Sequence, residues 1–214
     1  PNVIVALGDS VTWGVRRDGS VNAAQTFVSL LERDLQKAAP GLHVVNAGIG
    51  GNTSRQMLER LEADVLAYRP RLAIVMAGLN DAAYVDPGPV ARTEPRIPLD
   101  EYSRNLREIV RRLREAGAQV ILATPNPMTS RYPHASFGWY RGRDINQALA
   151  DYVQAVRTLA PESGAELVDV YAAYRAWKNY EATLPDGVHP DAAGHRFLAD
   201  LFLRPCLKLA RGWR

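Results

Sequence analysis

Short hydrophobic runs alternate along the chain with longer segments of helical periodicity. Five runs predict strands, at residues 3–7, 43–45, 72–76, 119–122 and 166–170. Most of them are almost continuously apolar, as strands buried on both faces are. Between them, apolar residues recur at helical spacing, most clearly at Tyr102, Leu106, Ile109, Val110 and Leu113. Strands that alternate with helices predict a parallel sheet, because parallel neighbours need crossover connections. We therefore expect one α/β domain over residues 1–214, with its reactive site at the C-terminal ends of the strands.

Two further helices and two long loops complete this outline. Leu58, Leu61 and Val65 predict one helix, and the apolar residues between positions 197 and 202 predict the last one. The loops 84–98 and 125–140 both leave the C-terminal edge of the sheet, and both are candidates for a substrate rim. The alternative is that the aromatic residues of the second loop pack it onto the domain.

Composition and charge exclude several classes of protein. The 214 residues include 26 lysines and arginines and 23 acidic residues, a net charge of +3, with both signs interspersed rather than segregated. This distribution predicts a solvated arginine-rich surface and no nucleic-acid partner. Cys206 is the one cysteine, so neither an internal disulfide nor a cysteine zinc site can form. The apolar runs are too short to span a bilayer, so we expect a soluble protein, either cytoplasmic or secreted after processing.

Two loops at the expected reactive edge carry candidate chemistry. The first predicted strand ends in Gly8-Asp9-Ser10, where a serine hydroxyl would project over the sheet edge. By itself this serine is more typical of a turn or a helix N-cap than of a nucleophile. The second strand is followed by the glycine-rich segment 46–53, whose backbone N–H groups could hold an oxyanion. Structural turn glycines are one alternative there, and a dinucleotide site is another, although Thr53 stands where its third glycine belongs.

Two later segments add an amide and an acid–base pair. Asn80 follows the third strand, where its side-chain amide could donate to negative charge or form an Asx-turn. Asp186 stands three residues before His189, so its carboxylate can accept from one imidazole nitrogen while the other points outward. The other histidines lack this spacing; we expect His195 on the surface of the last helix and His134 in a solvated loop. Together the four segments supply a nucleophile, oxyanion donors and a general base.

This combination resembles the SGNH hydrolase superfamily, the GDSL-type esterases and lipases. Its four blocks read here as Gly8-Asp9-Ser10, Gly48 to Thr53, Gly78-Leu79-Asn80-Asp81 and Asp186-Gly187-Val188-His189. The resemblance implies a flavodoxin-like three-layer α/β/α sandwich with a five-stranded parallel sheet. It also implies that the enzyme is a serine esterase that needs no metal and no cofactor.

The same resemblance implies a role for each matching residue. Ser10 would be the nucleophile, His189 the general base and Asp186 the group that orients His189. The oxyanion donors would be the backbone N–H groups of Ser10 and Gly51 and the side-chain amide of Asn80. Asp9 is expected to be structural.

The substrate is expected to be a small-molecule ester with a short acyl chain, with carbohydrate O-acetyl groups as the leading case. Trp13, Trp139 and Tyr140 could stack on a sugar face, or they could line an acyl-chain groove. A lysophospholipase or thioesterase of the same superfamily is the alternative. From other classes, a non-catalytic carbohydrate- or lipid-binding module and a flavodoxin-like flavin binder stay open.

Overall fold

The computed structural model describes residues 2–88 and 90–213. Five parallel strands form the main sheet: β1 (Asn2–Gly8), β2 (Leu42–Gly48), β3 (Leu72–Met76), β6 (Gln119–Ala123) and β7 (Glu166–Val168). A separate antiparallel ribbon pairs β4 (Val85–Asp86) with β5 (Val90–Ala91). The described residues also form eight α-helices, of which the first six lie between strands and the last two follow β7: α1 (Ser10–Trp13), α2 (Phe27–Ala38), α3 (Ser54–Glu59), α4 (Leu61–Asp64), α5 (Leu99–Glu115), α6 (Ala150–Glu162), α7 (Val170–Ala176) and α8 (Ala192–Leu209).

The strand order of the main sheet is β2-β1-β3-β6-β7. The chain leaves β1 toward one edge and returns to the other side of β1 with β3, so the order reverses between these two strands. Loops diverge at such a reversal and leave a crevice where ligands bind. The predicted flavodoxin-like α/β/α sandwich is confirmed, with α2 against α8 in one helical group and α3, α5 and α6 in the other.

The pairing register aligns the C-terminal ends of the five strands. One row across the sheet consists of Gly48, Gly8, Met76, Ala123 and Val168. Residues that follow this row therefore start from the same edge. The central strands β1, β3 and β6 are buried almost throughout, which explains why their sequences do not alternate. Strand β2, at one edge of the sheet, alternates between buried and more exposed residues.

Three predicted elements differ in detail from the structure. The fifth strand ends at Val168 rather than at residue 170, because Asp169 caps α7 by accepting from the N–H of Ala172 at 3.0 Å. The single helix predicted through Leu58, Leu61 and Val65 is broken at Arg60 into α3 and α4, and Val65 lies beyond α4. The loop 84–98, predicted to be irregular, contains the β4–β5 ribbon.

Helix α5 ends in a motif that contains a glycine. Gly117 adopts a positive φ of 85° just past α5, and Ala118 donates back to the carbonyl of Leu113 at 3.0 Å. This arrangement is a Schellman motif, which satisfies carbonyls that the helix end leaves free. No helix in the described ranges combines the length and hydropathy needed to cross a bilayer.

Candidate active site

Ser10 is the first residue of α1, immediately beyond the end of β1. Oδ1 of Asp9 caps this helix by accepting a backbone N–H of its first turn at 2.9 Å. Arg60 holds the last residue of β1, because its Nη2 donates to the carbonyl of Gly8 at 3.0 Å. The Nε of the same arginine donates to Oδ1 of Asn52 at 2.7 Å. The strand end that carries Ser10 is thereby tied to the glycine-rich loop after β2.

His189 joins Ser10 to Asp186 in one hydrogen-bonded chain. Its Nδ1 lies 2.7 Å from Oδ2 of Asp186, and its Nε2 lies 2.9 Å from Oγ of Ser10. Burial alone raises the pKa of Asp186, but hydrogen bonds from the His189 ring and from the N–H groups of Val188 and His189 outweigh burial and lower the pKa to about 2. The carboxylate is therefore ionised at neutral pH and favours a proton on Nδ1. Nε2 of His189 is then free to accept the Ser10 proton.

The loop that carries His189 is fixed by close backbone contacts. Gly187 has a φ of +86°, and a Cβ there would lie 2.2 Å from the backbone nitrogen of Tyr132, so only glycine fits. Its carbonyl accepts from the N–H of Thr129 at 2.9 Å. On the other side of His189, Nη1 of Arg16 donates to the carbonyl of Pro190 at 3.1 Å. The imidazole thus belongs to a loop that is held from two sides.

The expected oxyanion donors lie around the same cleft. Within residues 2–88 and 90–213, the backbone N–H groups of Ser10 and Gly51 donate to no protein acceptor. Asn80 follows β3, where its Nδ2 lies 3.4 Å from Oδ2 of Asp9 and its Oδ1 accepts from Nη1 of Arg96 at 3.3 Å. Ser10, Gly51 and Asn80, which lie on three different loops, therefore line one cleft.

Two buried carboxyl groups support these loops. Asp9 caps α1, and Oδ1 of Asp81 accepts from the N–H of Ser54, the first residue of α3, at 2.9 Å. Burial disfavours the ionised form and raises the pKa of each carboxyl to about 6, and the negative charge of Asp81 also raises the pKa of Asp9. Neither carboxyl contacts His189, so the pair Asp186–His189 keeps the only hydrogen bond between a carboxylate and that ring in the described part of the chain.

An open cleft of about 370 Å³ contains Ser10 and His189. Residues from both long loops line it, which places these loops at the rim. The lining mixes apolar and polar side chains, among them Val15, Leu79, Val85, Asp86, Arg96, Met128, Tyr132, His134 and Val188.

The three aromatic residues predicted to contact substrate occupy different environments. Trp13 is 47% exposed and packs beside Gly50, a residue of the cleft wall. Trp139 is half-buried, stacked on Tyr84 at 4.1 Å with the Arg143 guanidinium on its ring. Tyr140 is buried, and its hydroxyl accepts from the N–H of Tyr84 at 3.1 Å. None of the three lines the cleft.

The structure corrects the predicted position of one histidine and adds cleft residues that no sequence motif indicated. His195 was predicted at the surface but is fully buried, where Nδ1 accepts from the N–H of Phe27 at 3.1 Å. Burial lowers the pKa of His195 to about 3, helped by the nearby positive charge of Arg16. The signal was present, because His195 lies three and seven residues before the buried Leu198 and Phe202 of α8. Arg96 carried no motif of its own, and only the fold brings it to Asn80.

Comparison with known proteins identifies the class that this fold and site define. The model of the GDSL-like Lipase/Acylhydrolase family matches residues 6–197. The chain therefore belongs to this family, within the SGNH hydrolase superfamily, and is a carboxylic ester hydrolase.

The chain is also similar to individual characterised proteins and to solved structures. The chain is 33% identical to an acetylxylan esterase of Geobacillus stearothermophilus over 94% of its own length and 92% of the relative's. It is 28% identical to thioesterase 1/protease 1/lysophospholipase L1 of Escherichia coli K12, over 93% of this chain and 80% of that one. Among solved structures, a lipase/acylhydrolase of Enterococcus faecalis superposes with a TM-score of 0.76 at 25% identity and covers 96% of this chain and 95% of its own.

Proposed function

We propose that the chain forms one catalytic domain over residues 1–214 that hydrolyses short-chain esters through an acyl-enzyme on Ser10. The observation that carries this proposal is the hydrogen-bonded chain from Asp186 through His189 to Ser10, with distances of 2.7 and 2.9 Å. A serine hydroxyl in hydrogen-bond reach of a base, itself oriented by a third group, is the arrangement that nucleophilic catalysis requires.

The chemistry follows from these positions in two balanced steps. Oγ of Ser10 attacks the ester carbonyl carbon while Nε2 of His189 takes its proton. The resulting oxyanion accepts hydrogen bonds from the N–H groups of Ser10 and Gly51 and from Nδ2 of Asn80. The intermediate collapses, and the alcohol leaves with the proton from His189. Water then attacks the acyl group, gives its proton to His189, and Ser10 recovers that proton when the acid departs.

The proposed substrate class is a carbohydrate O-acetyl ester. The similarity to an acetylxylan esterase over nearly the whole length supports this choice. So does the cleft itself, because Tyr132 and His134 line it together with Ser10, and aromatic rings can stack on a sugar. Of the predicted aromatic contacts, Trp13 keeps an exposed ring beside the cleft wall, whereas Trp139 and Tyr140 would act by holding the loop.

A thioesterase or lysophospholipase activity is the second candidate. It is favoured by the apolar part of the cleft lining, Leu79, Val85 and Met128, which could accept an acyl chain. Similarity to the Escherichia coli enzyme supports the same alternative.

The proposal is tested by hydrolysis of p-nitrophenyl esters from acetate to laurate and by acetate release from acetylated xylo-oligosaccharides. We expect activity to fall with acyl length and to vanish in Ser10→Ala. Ser103→Ala removes an exposed hydroxyl on α5 and is the matched control, with unchanged activity. Rates that peak at long chains would move the substrate to lipids or thioesters. Equal rates for Ser10→Ala and wild type would overturn the mechanism and favour a binding module.

A further inference from the structure

Arg96 is held against two of the loops that carry the proposed oxyanion donors. Its backbone N–H donates to the carbonyl of Ala83 at 2.9 Å, which anchors the residue beside the end of β3. Its Nη1 donates to Oδ1 of Asn80 at 3.3 Å, and its Nη2 donates to the carbonyl of Gly51 at 3.4 Å. The guanidinium also lines the cleft. A single planar cation thus bridges the loops after β2 and β3.

The contact with Asn80 decides which end of its amide is available to a substrate. An asparagine amide can be turned by half a rotation, which exchanges an acceptor oxygen for a donor nitrogen. In the observed orientation Nδ2 lies 3.4 Å from the Asp9 carboxylate, while Oδ1 accepts from Arg96. The inverted amide would set Oδ1 against the carboxylate and the amide N–H groups against the guanidinium. Both contacts would be repulsive, so the two charged side chains favour the same orientation.

The amide nitrogen has two N–H groups, and Asp9 can accept only along one of them. The second N–H is left for a ligand in the cleft. The planar guanidinium carries several N–H donors in a fixed arrangement, so it can bond to a second acceptor while it donates to Oδ1. Its second hydrogen bond, to the Gly51 carbonyl, limits the positions that the guanidinium can take.

We infer that Arg96 is a positioning residue that acts through Asn80, by keeping the Asn80 amide turned so that Nδ2 can donate to the oxyanion. This inference rests on the proposed function, in which Asn80 is an oxyanion donor. A group of this kind affects the transition state more than the bound ester, because the negative charge exists only in the transition state.

A double-mutant cycle on p-nitrophenyl acetate hydrolysis tests the inference. Loss of an oxyanion donor costs about 10²–10³ in kcat, and a misdirected donor should cost less. We expect Arg96→Met to lower kcat by about tenfold with KM changed less than about twofold. In the Asn80→Ala background the same substitution should change kcat by less than about twofold, because the group that it positions is gone. Arg96→Lys keeps one charged donor and should fall between wild type and Arg96→Met.

Controls separate this inference from loop damage and from the proposed function. Arg92→Met breaks an ion pair of 3.0 Å with Asp86 in the same loop and should leave kcat within about twofold of wild type. Should Arg96→Met fail to fold in a thermal unfolding scan, the cycle is read with Arg96→Lys.

Four outcomes would overturn the inference. They are an unchanged kcat in Arg96→Met, a rise in KM alone, an unchanged kcat in Asn80→Ala, and an equal loss in both backgrounds, which would mean a direct contact with substrate. The Ser10→Ala variant distinguishes these from a failure of the proposed function: if it is inactive while Arg96→Met is silent, only the role of Arg96 is lost.

Discussion

The buried carboxyl group of Asp81 offers a quantitative test of how burial links the stability of this fold to pH. Its side chain is fully buried, and only Oδ1 has a protein partner in the described ranges, the N–H of Ser54 at 2.9 Å. Burial is the main reason that the pKa of Asp81 rises from 3.8 to about 6. The test replaces the acid by its neutral isostere, Asp81→Asn, and follows the free energy of unfolding with pH.

The sign and size of the effect follow from linkage. The folded protein keeps the Asp81 proton up to a pH near 6, whereas the unfolded chain releases it near 3.8. The wild type is therefore relatively stable at low pH and loses stability as pH rises through this window. Each pH unit between the two pKa values is worth about 1.4 kcal/mol, so the full effect is about 3 kcal/mol. About 2 kcal/mol of this loss of stability should occur between pH 4.5 and pH 8.

Urea unfolding at a series of pH values measures the difference directly. The free energy of unfolding of Asp81→Asn minus that of the wild type should rise by about 2 kcal/mol from pH 4.5 to pH 8. Loss of the Asp81 charge also relieves its repulsion of Asp9, which adds to the rise. Asp18→Asn is the control, because Asp18 is exposed and a hydrogen bond from Ser20 lowers its pKa. The free energy of unfolding of this variant minus that of the wild type should therefore not rise with pH. A difference for Asp81→Asn that is flat or falls with pH would refute the reasoning.

Two further substitutions probe the loop that carries His189. Asp186→Asn should lower kcat on p-nitrophenyl acetate by about 10⁴, because an amide cannot stabilise the imidazolium or hold its tautomer; a loss under about tenfold would contradict that role. Gly187→Ala should lower the free energy of unfolding by about 2 kcal/mol or more, since its Cβ meets the backbone of Tyr132 at 2.2 Å. Gly41→Ala, with φ +92° but open space, is the matched control in urea unfolding and should cost about 1 kcal/mol; equal losses would mean that the contact does not matter.

The sheet was predictable because its central strands, β1, β3 and β6, are buried on both faces. The runs at 3–7 and 72–76 are apolar at every position, and only a doubly covered parallel sheet makes such runs stable. The positions of Ser10 and Asn80 follow from the same fact, since each comes just after the strand-end row that contains Gly8 and Met76. The position in space of a residue that soon follows a strand can therefore be predicted from its position in the sequence.

Positions are harder to predict from the sequence where the chain leaves the sheet. The β4–β5 ribbon has two residues in each strand, too few to show an alternating pattern. The fourth block, Asp186 to His189, lies beyond α7 rather than at the end of β7, so its return to Ser10 depends on tertiary packing. The burial of His195 was readable from its helical spacing, but its polarity suggested the surface. The N–H of Phe27 satisfies one ring nitrogen, Nδ1, whereas the buried Nε2 has no partner among the described residues.

The arginines show most clearly what a sequence pattern omits. Interspersed charges predict a solvated surface, and several pairs on α5, such as Arg111 with Glu108, are exposed as expected. Arg16, Arg60 and Arg96 instead donate to backbone or amide oxygens in the loops around Ser10. Because a carbonyl acceptor has no residue type of its own, no spacing of side chains can reveal such a bond. A long planar donor suits this use, since its several N–H groups can reach two loops at once.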